Sequence, residues 1–295
     1  MKLLLIHGRS QEDKHPAVLE NKWLTALYDG AEAIGRDLPL AEEDIFFPFF
    51  GDALRDLTGD EEAFRVAPVT LGSEHRDDEE FRCKILNDCL SGLGVHQEHI
   101  AAEAPPEVVV DGPLQREWVQ IGIGLLDRIS PSFSSQSLAL AAADVAQYLQ
   151  DEAVQDFIEC GILDVMNACE PDEKLVVVGH SLGSIVAYRL LSREGILDRP
   201  IELFMTLGSP LGITAVRESL TPIAFPARVD RWFNAYDNRD AVALHPLNDT
   251  YFNVEPSIEN YGDIENNTKN HHGIGGYLTD PVVATRLMNA LAAEV

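Results

Sequence analysis

One serine of this sequence lies in a pattern that suits nucleophilic chemistry. Ser181 is the centre of Gly179-His-Ser-Leu-Gly183, which follows an apolar run at 175–178 and precedes a helical pattern at 182–191. The pattern G-x-S-x-G predicts a sharp turn from a strand to a helix, with glycines that allow close packing around a strained serine. The N-terminus of that helix points at the serine oxygen, and the N–H of Leu182 can then donate to a developing oxyanion.

A serine nucleophile needs a general base and an acid that orients the base. The turn around Ser181 resembles the nucleophile turn of the α/β-hydrolases, and this resemblance implies that the acid and then the histidine follow along the chain. The acid is expected on the loop after the strand-like residues 231–236. Asp240 is favoured, because a small residue and a valine follow it and would turn the loop back towards the core. Asp237, in the same loop, is the alternative.

Three histidines follow Ser181, namely His245, His271 and His272. His245 comes so soon after the acid that it shares the same loop excursion. The other two follow a further strand-like pattern at 251–254 and 261–264 and precede a glycine-rich turn at 273–276. That turn would present His272 at the carboxyl edge of the sheet, so His272 is favoured as the base, with His271 as the alternative.

A second oxyanion donor is expected from the loop after the first strand, which the apolar residues 2–6 predict. The loop reads His7-Gly8-Arg9-Ser10. Gly8 permits the turn, and the N–H of Arg9 is the favoured donor, with Ser10 as the alternative. His7 and His180 are interpreted as residues that brace the backbone.

Strand-like and helix-like segments alternate along most of the chain. The predicted strands are 2–6, 45–50, 175–178, 201–207 and 229–236. This alternation predicts a mostly parallel central sheet with helices on both faces, the α/β class. Between residues 52 and 135 the pattern loosens. We therefore predict a core of residues 1–51 and 136–295, with 52–135 inserted as a cap or lid.

Composition limits the function classes. The net charge of −27 disfavours nucleic acid and stable docking on anionic membranes. The four cysteines form no C-x-x-C pair, which favours a reducing compartment over a disulfide framework or zinc site. The apolar start of the chain is too short for a signal peptide, and no apolar run is long enough to span a bilayer. The expectation is a soluble cytoplasmic protein without a membrane anchor.

Five segments, IHGRS, VVVGHSLGS, MTLGSPLGI, WFNAYDNRDAVA and HHGIGGYL, resemble the α/β-hydrolase superfamily in its lipase/esterase-like branch. The resemblance covers the first ten residues and most of 138–295, and it is most specific in the segments that contain Ser181 and Asp240. It implies an α/β-hydrolase fold, a catalytic Ser181, Asp240 and His272, and activity on carboxylic esters, including acyl lipids. It implies neither a cofactor nor a metal. Residues from about 52 to 135 carry no recognisable match.

Several functions stay open at this stage. The expected substrate is a small-molecule or lipid acyl ester, but the same residues would serve a thioesterase or an acyltransferase. A lipase effector subunit regulated by a protein partner, a homo-oligomer, and an inactive binding module are further alternatives. The apolar residues 118–129 of the insertion would either line an acyl tunnel or face a membrane, or else pack the cap onto the core.

Overall fold

A parallel sheet forms the centre of the protein. The computed structural model describes residues 1–8, 15–51, 76–129, 135–170, 173–193, 195, 199–268 and 270–293. Within these residues the strands are β1 (Lys2–Ile6), β2 (Ile45–Phe46), β3 (Leu175–His180), β4 (Ile201–Leu207), β5 (Trp232–Ala235) and β6 (Glu259–Tyr261). Their order is β2-β1-β3-β4-β5-β6, and every neighbouring pair is parallel. The predicted fold class is confirmed.

The strands carry apolar side chains on both faces, as expected when helices cover both sides of a parallel sheet. Along β1, Leu3 and Leu5 belong to one apolar cluster, and Leu4 and Ile6 belong to another. Successive side chains of a strand point to opposite faces. The two clusters therefore lie on opposite sides of the sheet.

Helices cover each of these faces. In chain order the described helices are α1 (Pro16–Ala33), α2 (Arg76–Gly92), α3 (Gln97–Glu103), α4 (Pro106–Asp111), α5 (Arg116–Ile129), α6 (Ser135–Gln150), α7 (Glu152–Ala168), α8 (Leu182–Ser192), α9 (Thr214–Ser219), α10 (Ile274–Leu278) and α11 (Pro281–Leu291). Helices α1, α10 and α11 pack on the face of Leu3, and α2, α3 and α5–α9 pack on the face of Leu4. None of these helices is both long and apolar enough to cross a bilayer.

The direction in which strands are added reverses at β1. From β1 the chain passes through α1 to β2 on one side, and it then returns to β3 on the other side. Ligand sites of open parallel sheets lie at such a reversal, outside the carboxyl ends of the strands. In this protein those ends lead to Gly8 after β1 and to Ser181 after β3.

Helices α2–α5 occupy the described part of the segment predicted as a cap. Trp118 and Leu126 of α5 are buried in the same apolar cluster as Leu4, whereas Ile129 is exposed. Most of the apolar stretch is thus buried, mainly against α2 and α3 of the same segment, and both alternatives for residues 118–129 stay predictions. Residues 52–75 and 130–134 of the segment lie outside the described residues, and the division into core and cap stays a prediction.

Two strand predictions need correction. The strand expected at 45–50 pairs with β1 only at Ile45 and Phe46, because Pro48 lacks the N–H that a continued ladder would use. The strand predicted at 251–254 is wrong, because these residues form a turn and an irregular segment. There the Asn248 side chain accepts hydrogen bonds from the N–H groups of Thr250 and Tyr251, which fold the chain into a turn.

Candidate active site

Ser181 has a backbone conformation that few residues other than glycine adopt. It joins β3 to α8 with φ 55° and ψ −129°. Its N–H donates to the carbonyl of Leu207 in β4 at 3.1 Å. Its carbonyl accepts from the N–H of Ser184 at 2.9 Å and from the Ser184 hydroxyl at 2.6 Å. Hydrogen bonds from both sides therefore stabilise the strained turn on which the predicted nucleophile lies.

Both glycines of the serine motif lie where a side chain would collide with backbone. A Cβ on Gly179 would lie 2.7 Å from the Cα of Ser184. A Cβ on Gly183 would overlap the carbonyl groups of Ile6 and His7 at the end of β1. The motif thus allows α8 to lie directly against β1 and β3, as its glycine spacing predicted.

We expect Gly183→Ala to lower the free energy of unfolding by about 1–3 kcal/mol, because the opposing atoms are backbone carbonyls that cannot rotate away. Urea unfolding measures the change. Gly161→Ala in α7 is the matched control, since no atom lies within 4 Å of its added Cβ. That control should gain roughly 0.5–1 kcal/mol from higher helix propensity. Equal unfolding midpoints for the two variants would contradict the close approach of α8 to β1.

The structure brings His272 and Asp240 together. Nδ1 of His272 lies 2.7 Å from Oδ2 of Asp240. The Asp240 side chain is fully buried, and the His272 side chain is 15% exposed. Oδ1 of Asp240 accepts from the N–H of Val242 at 3.0 Å, which folds the loop back on itself. Because an ionised carboxylate can only accept, Nδ1 of His272 carries the proton and Nε2 is left as an acceptor.

Asp237, the alternative acid, binds other groups. Its carboxylate accepts from the side chain and N–H of Arg239 and from the N–H of Asn266, at 2.7–3.0 Å. Burial raises the pKa of Asp237, but these donors outweigh burial, and the pKa is lowered overall. Asp237 therefore ties the loop of Asp240 to the loop that carries the histidines.

The two alternative histidines also make other contacts. His271 has φ 56°, and its Nδ1 lies 2.7 Å from the carbonyl oxygen of Asn266. His245 stacks on Tyr251 with ring centroids 4.3 Å apart. Of the three histidines that follow Ser181, His272 is the one joined to Asp240.

His180 and His7 brace the backbone around the serine. Nε2 of His180 donates to the carbonyl of His272 at 2.8 Å, and the two rings lie 4.8 Å apart. Burial, and after it the neighbouring His272, holds the pKa of His180 well below its ordinary value. In His7, Nε2 accepts from the N–H of Phe50 at 3.2 Å, and Nδ1 contacts the carbonyl of Gly8. Both histidines are thus engaged with backbone groups.

The predicted oxyanion donors are described in part. Leu182 is the first residue of α8, so its N–H has no acceptor within the helix, and it follows Ser181 directly. Gly8 lies against the serine, because a Cβ on Gly8 would be 2.7 Å from Cβ and 3.2 Å from Oγ of Ser181. The second predicted donor, Arg9, and its alternative Ser10 lie outside the described residues.

Sequence reasoning missed Tyr277 and Gly208. The Tyr277 hydroxyl donates to Oδ2 of Asp240 at 2.6 Å. Gly208 has φ 57°, and a Cβ there would lie 3.1–3.2 Å from atoms of Tyr277, Asp240 and His272. Both lie in segments already singled out, MTLGSPLGI and HHGIGGYL, where a glycine after an apolar strand and an aromatic after the histidines were the available signals. The described part of the chain has no group of three or more His, Cys, Asp or Glu side chains suited to a metal.

The chain has the fold of the α/β-hydrolase superfamily, as its resemblance predicted, with the strained serine turn after the third strand of a parallel sheet. Residues 135–255 match the family model described as the PGAP1-like alpha/beta domain, an α/β-hydrolase-like family. This match covers less than half of the 295 residues; it includes Ser181 and Asp240 and ends before His272. Comparison with curated proteins and with solved structures found no match.

Proposed function

We propose that this protein is a serine hydrolase that cleaves acyl esters through an acyl-enzyme on Ser181. The observation that carries the proposal is the 2.7 Å hydrogen bond between His272 and buried Asp240. His180, the chain neighbour of Ser181, binds the carbonyl of His272. The segments that carry the nucleophile and the base are therefore in direct contact.

In the proposed reaction, Oγ of Ser181 attacks the carbonyl carbon of the ester while Nε2 of His272 takes the hydroxyl proton. Asp240 keeps the proton on Nδ1 and stabilises the imidazolium. The tetrahedral intermediate collapses, the bond to the leaving oxygen breaks, and His272 gives its proton to the departing alcohol. Water then attacks the acyl-enzyme with His272 again as base, which releases the carboxylic acid and restores Ser181.

Charge that develops on the carbonyl oxygen needs donors near Ser181. The N–H of Leu182 is one proposed donor, supported by its place at the start of α8, where the helix dipole favours negative charge. The loop that begins at Gly8 is the proposed source of the second, the N–H of Arg9. The contact of Gly8 with Ser181 supports this assignment, since it brings the start of that loop beside the nucleophile.

An apolar groove supports an acyl chain as part of the substrate. A cavity of about 550 Å³ lies between α7 and residues 48–50, with Phe49, Phe50, Phe157, Ile158 and Ile162 in its lining. Phe50 stacks on His7, which directly precedes Gly8. Asp156 and Asp164 also line the groove, so it disfavours an anionic ligand. A neutral ester with an apolar chain suits this groove, and the stacking of Phe50 on His7 is the contact that supports assigning it to the proposed site.

The proposal is tested by labelling the folded protein with a fluorophosphonate and mapping the adduct by mass spectrometry. We expect one adduct per chain, on Ser181, formed faster than in heat-unfolded protein. p-Nitrophenyl esters that the protein hydrolyses should compete for Ser181 and slow this labelling. A folded protein that reacts at another residue, or not at all, would overturn the proposal. The same ester series, repeated with thioesters and with added alcohols, separates a hydrolase from a thioesterase and from an acyltransferase.

A further inference from the structure

One oxygen of Asp240 receives two side-chain donors. Oδ2 lies 2.7 Å from Nδ1 of His272 and 2.6 Å from the hydroxyl of Tyr277. We propose that Tyr277 is a positioning residue, which holds the Asp240 carboxylate in place and shares the negative charge of its Oδ2 atom with His272. The inference rests on the proposed function, in which His272 is the base.

The direction of the Tyr277 hydrogen bond follows from its two partners. The N–H of Asp237 donates to the phenol oxygen at 3.4 Å, and the carboxylate of Asp240 can only accept. The phenol proton is therefore directed at Oδ2. Burial, and after it the charge of Asp240, raises the pKa of Tyr277 well above its usual value. Tyr277 consequently stays a donor over the whole range in which a histidine titrates.

Tyr277 is fixed by a helix, whereas His272 lies on the preceding loop. Helix α10 packs closely on α1, since a Cβ on Gly30 would overlap the carbonyl of Leu278. Because Gly208 has no side chain, the rings of both Tyr277 and His272 fit beside Oδ2 of Asp240. The helix thus sets the position of the carboxylate, and the carboxylate sets the position of the base.

Other titratable groups face this pair from neighbouring elements. His180 of β3 contacts His272, and Asp237 lies close to Tyr277. The pKa of Cys89 in α2 is raised mainly by burial, and the charge of Asp240 adds to this rise. Lys22 of α1 and His7 contribute to the lowered pKa of His180. Among the described residues, His272 and Tyr277 are the two side chains that donate to Oδ2.

Two donors on one carboxylate oxygen compete for its negative charge. Removing the phenol hydroxyl leaves more of that charge facing Nδ1, which stabilises the imidazolium and raises the pKa of His272. We expect a rise of roughly half to one pH unit, the net scale of an ordinary protein hydrogen bond. The base must be neutral to act, so the acid limb of the kcat/KM profile should move to higher pH by the same amount.

The test is an NMR titration of the His272 imidazole in the unsubstituted protein, in Tyr277→Phe and in Tyr148→Phe. Tyr148 is a matched control, because it is also fully buried and donates to a buried carboxylate, Glu159, at 2.7 Å. We expect the pKa of His272 to rise in Tyr277→Phe and to stay unchanged in Tyr148→Phe. An unchanged or lowered pKa in Tyr277→Phe would overturn the inference.

This readout does not require turnover, so it separates the two proposals. A raised pKa together with absent fluorophosphonate labelling would refute the proposed function and leave the Tyr277–Asp240–His272 coupling standing. If Tyr277→Phe fails to fold, the unsubstituted protein provides the test. The hydroxyl proton of Tyr277 and the Nδ1 proton of His272 share one acceptor oxygen and should show a mutual NOE. Two assigned protons without an NOE would contradict the shared contact.

Discussion

Ser181→Ala is expected to lower kcat for an acyl ester by roughly 10⁵- to 10⁶-fold, the scale seen when a serine nucleophile is removed from a triad. The physical reason is that no acyl-enzyme can form, so only the oxyanion donors and substrate positioning still contribute. The measurement is p-nitrophenyl ester hydrolysis under saturating substrate, with the active fraction of the unsubstituted protein counted by fluorophosphonate titration.

The same substitution should leave the fold intact. The hydrogen bonds of Ser181 to Leu207 and Ser184 use its backbone N–H and carbonyl, which alanine keeps. Thermal unfolding of Ser181→Ala should therefore match that of the unsubstituted protein within a few degrees. Ser219→Ala is the control, since it also removes a serine hydroxyl, one that bonds the carbonyl of Val216 within α9. Undiminished hydrolysis by Ser181→Ala would remove the serine from the proposed mechanism.

Asp240→Asn is expected to lower kcat by about 10⁴-fold, as an orienting carboxylate does elsewhere when it becomes an amide. An asparagine can turn its NH₂ towards Nδ1 of His272, which places the histidine proton on Nε2. In that tautomer the ring cannot accept the proton of Ser181. The measurement is the kcat of the purified variant. Titration with a fluorophosphonate counts its reactive sites, which excludes contamination by unsubstituted enzyme.

Asp237→Asn is the matched control, because Asp237 lies in the same loop and is also buried. We expect the kcat of Asp237→Asn to stay within roughly tenfold of that of the unsubstituted protein. Its free energy of unfolding at pH 7 should fall by about 1–3 kcal/mol. The lowered pKa of Asp237 means that its stabilisation is present above the unfolded value and is lost as pH falls through the folded value. The stability gap between Asp237→Asn and the unsubstituted protein should therefore narrow in acid. The reverse ranking of kcat for these two variants would show that Asp237 is the orienting acid.

Local patterns were enough to predict the serine turn and the sheet. Glycine on both sides of Ser181, a β-branched strand before it and a helical pattern after it act within ten residues of chain. Buried parallel strands are apolar on both faces, so they stand out as short continuous runs. The strand predicted at 251–254 failed because the Asn248 side chain folds the backbone into an Asx turn. Such a turn depends on one side chain, and hydrophobic periodicity does not reveal it.

The sequence narrowed the candidates for the acid and for the base to pairs, and the structure shows which members of the two pairs bind each other. Asp237 and Asp240 lie in one loop, and His271 and His272 are adjacent, so spacing cannot rank them strongly. His271 has a left-handed backbone and its ring contacts the carbonyl of Asn266, whereas the ring of His272 binds Asp240. These outcomes depend on how two loops pack on each other.

The sequence by itself determined the parallel α/β class, the strained serine turn and the chain order of serine, acid and histidine candidates. The turn and each strand or helix depend on residue types within a few positions of one another, and the chain order follows from the order that such a nucleophile turn implies. The tertiary structure alone decided that His272 binds Asp240, that Asp237 braces the histidine loop, and that Tyr277 shares the Asp240 oxygen. Those contacts join residues 29–37 positions apart, and their geometry is set by the packing of α10, Gly208 and the two loops rather than by local chain preference.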